Sequence, residues 1–213
     1  MTAWLPIYWS QYPEWKIKVQ EEVNAAVAKH RSSTRQSPID ILNALSLEEW
    51  ETEFPIIDLS LRDSIRLGLT GTDYRKNVGD GDVQIGKTGE VIPKGAYAVF
   101  LVDNVHLNAD ICQDPLSFDP SRYFDDRAED KKLPHSFIGW GSGRYHCLGV
   151  RFANLEAIII AAYFVVMFEY ELSDKNGKQL AETPPPVNRN QNQVQKPAKP
   201  IYIRYKERKA SMF

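Results

Sequence analysis

The sequence predicts a mainly α fold with a small antiparallel sheet, an α+β chain with no second domain across residues 1–213. Three observations predict it. Pro13 to His30 repeats apolar residues at helical spacing. A twelve-residue apolar run, Ala157 to Phe168, follows a Gly-rich stretch and is too long for an ordinary strand. Between them, Asp73 to Val102 alternates in polarity and is broken by the turn signals Gly79-Asp80-Gly81 and Pro93-Lys94-Gly95.

The elements follow in order. Thr2 to Gln11, with Trp4, Leu5, Ile7, Tyr8 and Trp9, reads as the tail of a helix. Pro13 fits a first helical position, and an amphipathic helix runs from it to about His30. Arg31 to Ser37 is polar and loop-like. Ser46-Leu47-Glu48-Glu49 is a capping-box pattern that opens a short helix. Phe54-Pro55 starts another, to about Leu69, on which Asp63 and Arg66 share a face at three-residue spacing. Ala96 to Val102 reads as a buried strand and Asp103 to Asp110 as a short helical or turn segment. Asp119 to Phe137 is charged and irregular. Leu148 to Phe168 reads as a buried core helix, since its apolar run falls short of the ~20 residues that span a bilayer. Glu169 to Leu172 and Ile201 to Tyr205 read as strands on either side of a Pro- and Asn/Gln-rich connection, Thr183 to Pro200. Lys206-Glu207-Arg208-Lys209 reads as a solvated tail.

Composition narrows the function. The formal net charge is −2, which gives no basic excess for nucleic acid. Only two cysteines occur, Cys112 and Cys147, so a disulfide framework is not expected. No His, Cys or Asp group has zinc spacing. His30, His106 and His135 read as a solvated helix-end charge, a packing residue and a loop hydrogen-bonder. Met1 leads into Ala3-Trp4-Leu5-Pro6 without a basic start or a continuous apolar stretch, so no signal peptide is expected.

The chemistry is concentrated in Trp140-Gly141-Ser142-Gly143-Arg144-Tyr145-His146-Cys147-Leu148-Gly149. A thiolate is favoured at a helix N-terminus by free backbone N–H groups and the positive end of the dipole. Gly141, Gly143 and Gly149 lack Cβ atoms, so the backbone can turn sharply and approach a flat ligand. Arg144, Tyr145 and His146 add donors that suit an anionic cofactor. The competing reading of Cys147 is a buried free cysteine in a turn before a core helix.

These ten residues resemble the haem-binding loop of the cytochrome P450 family, aromatic-x-x-Gly-x-basic-x-Cys-x-Gly. Trp140, Gly143, Cys147 and Gly149 fill the aromatic, glycine, cysteine and final glycine places, while Tyr145 stands where a basic residue is usual. A second resemblance lies in Asp114 to Tyr123, which is similar to the family's Pro-x-x-Phe-x-Pro-x-Arg-aromatic stretch. It implies a structural lock of Asp63, Arg66 and Arg122, with Asp63 one methylene shorter than the family's Glu.

The resemblance implies haem b held by Cys147 as axial ligand, with Trp140, Gly141, Gly143 and Gly149 around it. Arg75, Arg144, Tyr145 and His146 would meet the propionates, and Leu69, Thr70 and Gly71 would line the substrate space. It implies a monooxygenase that inserts one oxygen atom of dioxygen into a small hydrophobic organic substrate. Electrons would come from NADPH-cytochrome P450 reductase. The full-length member would sit on the cytoplasmic face of the endoplasmic reticulum membrane, in a fungal or microsomal flavour, with no anchor in these 213 residues. The likeness covers nearly all of this chain and about the C-terminal half of a member. The oxygen-activation helix is therefore expected upstream of Met1, and the 213 residues alone are expected to be inactive. Two other classes remain open: a non-catalytic haem-binding remnant, and a haem-thiolate isomerase or peroxide-rearranging enzyme.

Overall fold

The structure, a computed structural model, describes residues 1–180, 184, 186–190, 193–194 and 196–208, with backbone alone at 193 and 194. Thr183, Pro185, Gln191, Asn192 and Gln195 of the Pro- and Asn/Gln-rich connection lie outside the described residues, as does Lys209 of the basic tail.

A 3-10 turn at Thr2–Trp4 runs into helix α1 (Leu5–Gln11). Pro13 then opens α2 (Pro13–His30), whose buried stripe is Trp15, Val19, Val23, Ala26 and Val27. Those positions recur every three or four residues, so one face of α2 turns inward. Helix α3 (Pro38–Ala44) is not anticipated from the sequence. Its signal is a capping box with Asp at the third position: Ser37 Oγ accepts from the Asp40 N–H, and the Asp40 carboxylate accepts from the Ser37 N–H. Helix α4 (Leu47–Thr52) opens on the reciprocal Ser46–Glu49 box that the sequence announces.

Helix α5 (Pro55–Gly68) has no side-chain cap of its own at Phe54. Its N-terminus is capped from another helix. The two carboxylate oxygens of Glu22, on α2, accept from the N–H groups of Ile56 at 2.5 Å and Ile57 at 3.1 Å. Burial pushes the Glu22 carboxyl up to about 7, against the pull of those two N–H groups. Glu22→Ala is expected to cost about 1–2 kcal/mol, the scale of a lost N-cap. A urea midpoint indistinguishable from the parent chain would remove Glu22 from this role.

The strands are short: β1 (Leu69–Thr70), β2 (Thr72–Lys76), β3 (Val83–Gln84), β4 (Val91–Ile92) and β5 (Tyr97–Leu101). Helix α6 (Val102–His106) follows β5 directly. After a meander with 3-10 turns come α7 (Val150–Met167), β6 (Phe168–Ser173), β7 (Gln193–Val194) and β8 (Tyr202–Glu207). Among the described residues the strands form four separate antiparallel ribbons: β1 with β7, β2 with β5, β3 with β4, and β6 with β8.

Two expectations are corrected here. The strand expected to be buried, β5, is largely exposed, with Val99 at 63% and Phe100 at 46%. Among the described residues its only partner is β2, in register Thr72↔Leu101 to Lys76↔Tyr97, and a two-stranded ribbon cannot bury a face by itself. The apolar helix α7 is buried on one side only. Ala157, Ile158, Ala161, Ala162, Val165 and Val166 face inward, whereas Phe152 and Ile160 are exposed. By length and composition α7 could cross a membrane, but its packing on α2, α3, α4 and α5 makes it a core helix.

The main core gathers Leu5, Trp9, Val19, Val23, Phe54, Ile57 and Ala162 from these helices. Trp9 is almost fully buried, and its indole N–H reaches Ser60 Oγ at 3.3 Å, which satisfies the one polar atom of the ring.

Candidate functional site

The loop carrying Cys147 is closed by its own backbone. The Gly141 N–H donates to the Ile138 carbonyl at 2.9 Å, and the Cys147 N–H donates to the Trp140 carbonyl at 2.8 Å. The turn needs glycine at two places. Gly141 has φ +79°, and a Cβ there would stand 3.2 Å from the Tyr145 carbonyl oxygen. Gly143, at φ +62°, opens the 3-10 turn Gly143–Tyr145. Gly149 differs: its φ of −94° suits any residue, and it serves as the N-cap of α7. Cys147 therefore stands three residues ahead of the first helical residue, Val150, and its thiol is half-buried.

His106 fastens this loop from behind. It is fully buried, and its Nε2 accepts from the Ile138 N–H at 3.1 Å. The ring stacks on Phe137 at 5.2 Å between centroids. Burial, with the Arg66 charge next, holds the imidazole down to about 4. The neutral ring is what the Ile138 bond requires, because a protonated Nε2 could not accept it. The unfolded chain takes up this proton near 6.5 and the folded chain only near 4, so the His106 contribution is complete above about 6.5 and is lost as pH falls toward about 4. His106→Gln is expected to flatten the urea-midpoint profile between those pH values. An unchanged slope would exclude the histidine as its source.

Beneath the loop, α5 and the meander meet in a buried charge network. Asp63, Arg66 and Arg122 are each 1% exposed or less. Asp63 Oδ1 accepts from Arg66 Nε at 2.6 Å, lies 3.0 Å from Arg122 Nε, and accepts from the Tyr123 hydroxyl at 3.1 Å. Asp63 Oδ2 accepts from the Asp119 N–H at 2.8 Å. Backbone carbonyls of His106, Pro115 and Ser117 take further donors of Arg66, and those of Gln113 and Ser117 take donors of Arg122.

One carboxylate does not carry both guanidiniums. Glu129, 2% exposed, accepts from Arg122 Nη1 at 2.6 Å and from Arg127 Nη2 at 2.7 Å, and Arg127 also donates to Asp119. Sequence reasoning misses Glu129, Arg127 and Asp119. Their only signal is their charge, within a stretch that reads as charged and irregular.

On the opposite side the loop walls a cavity of about 920 Å³. Gly139, Gly141, Ser142 and Tyr145 of the loop face Leu69, Thr70, Arg75 and Val102 across it. Arg75 stacks over the Tyr145 ring at 4.9 Å, so these two expected propionate contacts are brought together. Arg144 and His146 are exposed and are not part of this wall; His146 faces a second cleft of about 450 Å³ with Trp140, Gly143, Arg62 and Asn154. Gly71 is also outside the wall and instead accepts the Val102 N–H through its carbonyl at 3.0 Å. His135 bonds Ser142 at 2.7 Å, as a loop hydrogen-bonder does.

The residues present suit a flat, largely apolar, anionic group. A Cβ at Gly143 or Gly149 would meet nothing within 4 Å, so the loop faces open space there. Leu148, next to Cys147, and Phe152, in the first turn of α7, are 103% and 71% exposed, so both present apolar surface to solvent. Arg75 supplies a cation at the rim.

Comparison with known proteins agrees with this geometry. The family model described as Cytochrome P450 matches residues 3–203. The chain is 35% identical over 167 residues to cytochrome P450 monooxygenase AacuE of Aspergillus aculeatus, covering 78% of this chain and 33% of that protein. It is likewise 35% identical over 169 residues to cytochrome P450 monooxygenase nsrP of Aspergillus novofumigatus, covering 79% and 33%. Among solved structures, retinoic acid bound cyanobacterial CYP120A1 superposes with a TM-score of 0.69 at 22% identity, over 93% of this chain and 40% of that one. The chain thus spans about a third of the length of these curated relatives, less than the half expected from the motifs. The family's cofactor is haem. With its fold, its cysteine loop and this match over residues 3–203, the chain belongs to the cytochrome P450 family.

Proposed function

We propose that this chain forms the haem-thiolate part of a monooxygenase, in which Cys147 would hold the haem iron through its sulfur. The observation that carries the reading is a half-buried thiol on the loop that walls the large cavity; Cys147 itself is not among the residues lining it. The loop that presents Cys147 also contributes Gly139, Gly141, Ser142 and Tyr145 to the cavity wall. Haem bound there supplies dioxygen activation, which thiolate ligation favours by pushing electron density toward O–O cleavage.

The chain's own residues then have distinct tasks. Cys147 would supply the thiolate, and the backbone bond from its N–H to the Trp140 carbonyl fixes the residue within the loop. Arg75 and Tyr145 offer a guanidinium and a phenol to the propionates; Arg144 and His146, being exposed, are free to reach them from outside the wall. Leu69, Thr70 and Val102 present a mostly apolar surface to a small hydrophobic organic substrate. Asp63, Arg66 and Arg122 hold the support below the loop and take no part in the reaction. Electrons come from a reductase partner of the NADPH-cytochrome P450 reductase type, and the whole protein works at the endoplasmic reticulum membrane, as suits a relative of fungal P450 monooxygenases.

The test is spectroscopic. The chain is supplied with haem, reduced and exposed to carbon monoxide. A red-shifted Soret band of the thiolate type is expected; a band at the position of histidine-ligated haem, or no haem uptake, would sink the proposal.

A further inference from the structure

We infer that Arg189 is a positioning residue that sets the opening of the large cavity. It does so by pinning the connection between β6 and β8 onto the ends of two helices. The inference rests on the reading of that cavity as the ligand chamber.

The Arg189 guanidinium reaches two places distant in sequence. Its Nη2 donates to the Leu67 carbonyl at 2.9 Å, in the last turn of α5. Its Nη1 lies 3.5 Å from Asp103 Oδ1, in the first turn of α6. Both are sound places for a cation, since the C-terminal carbonyls of a helix carry partial negative charge and Asp103 carries a full one.

Both anchors adjoin the cavity wall. Beyond Leu67 the chain enters β1, whose Leu69 and Thr70 line the cavity; Val102, directly before Asp103, lines it too. After Arg189 the connection returns as β7, which pairs with β1 as Leu69↔Val194 and Thr70↔Gln193. Two residue pairs make a ribbon far too short to be stable alone. Arg189 therefore supplies a fixed point that keeps β7 lying along the wall, next to the Val187↔Pro197 bridge of the same connection.

The pin is also built to yield. Arg189 Nη1 and Asp103 Oδ1 are each shut off from water, and neither has a hydrogen-bond partner among the described residues. At 3.5 Å they attract by charge without a well-formed bond. The two side chains as wholes are 30% and 32% exposed, so the shielded atoms belong to residues that are otherwise partly in solvent. An ordinary surface ion pair would be worth little. The bond to Leu67 and the short strand downstream set this one apart.

The test compares the haem-loaded full chain with Arg189→Gln and Arg189→Lys. Hydrogen exchange is followed in peptides spanning β1 and β7, with β6 and β8 as internal controls. In Arg189→Gln, exchange in β1 and β7 is expected to rise about tenfold or more while β6 and β8 hold, the mark of a local opening. Arg189→Lys, which keeps the charge, is expected to fall between the two.

Binding of imidazole and of phenylimidazole is then read from the shift of the haem band. The affinity ratio of the bulky to the small probe is expected to change by about fivefold or more, with imidazole itself within about twofold, because only the bulky probe feels the wall. Equal exchange changes in both ribbons, or no change, overturns the inference. So does raised exchange in β1 and β7 with an unaltered probe ratio. Exchange needs no haem, so a chain that takes up no haem counts against the Cys147 reading, and the pin then stands or falls on exchange alone.

Discussion

Asp63→Ala is expected to lower stability by about 3–5 kcal/mol, the scale for removing one partner from a buried ion pair. The magnitude follows from what is stranded. Arg66 and Arg122 are 1% and 0% exposed, so neither guanidinium can turn to water when its carboxylate goes. The Tyr123 hydroxyl and the Asp119 N–H lose their acceptor in the same step. Arg122 keeps Glu129, which limits the damage on the meander side, whereas among the described residues Arg66 keeps only carbonyls. A domain is typically stable by about 5–15 kcal/mol, so the variant is left near the edge of folding. Asp63→Glu separates charge from shape. It retains the anion but forces a methylene into a fully packed site, at about 1–3 kcal/mol. Urea unfolding measures both. A loss under about 1 kcal/mol for Asp63→Ala would mean that Glu129 and the carbonyls suffice and that the lock is not centred on Asp63.

The same network shows how far the sequence could be read. Asp63 and Arg66 were legible because helical spacing alone puts them on one face, and Arg122 because its surrounding motif is specific. Glu129 was not legible. It sits in Asp125-Asp126-Arg127-Ala128-Glu129-Asp130-Lys131, where Lys131 and Asp125 do form an exposed pair, and no local rule says which carboxylate folds inward. Caps behaved in a similar way. Ser46 and Glu49 announced α4, but the Ser37 and Asp40 box opening α3 uses the shorter acid and escaped the pattern. Glu22 capping α5 lies thirty-four residues from its partner Ile56 and has no local signature. For β5 the failure was of another kind. Its apolar residues, Tyr97 to Leu101, state that the strand suits burial, but burial needs a second layer that the described residues do not supply.

Cys147→Ser is expected to abolish the thiolate-type carbon monoxide band while leaving the fold in place. The substitution keeps the size of the side chain and the backbone bond to Trp140, and the thiol it removes is only half-buried, so the stability change should stay within about 0.5 kcal/mol. What it removes is the sulfur: a serine hydroxyl holds its proton far above neutral pH and cannot replace a thiolate toward iron. Pairing this variant with Asp63→Ala makes the argument strict. Loss of the band without loss of stability assigns ligation to residue 147; loss of both together reports collapse of the support beneath it. Were the band to survive in Cys147→Ser, the ligand would have to be the one remaining thiol, Cys112. That residue is 3% exposed, and burial pushes its thiol up, away from the anionic form a metal requires. A surviving band would therefore overturn the site assignment and the accessibility argument behind it at once.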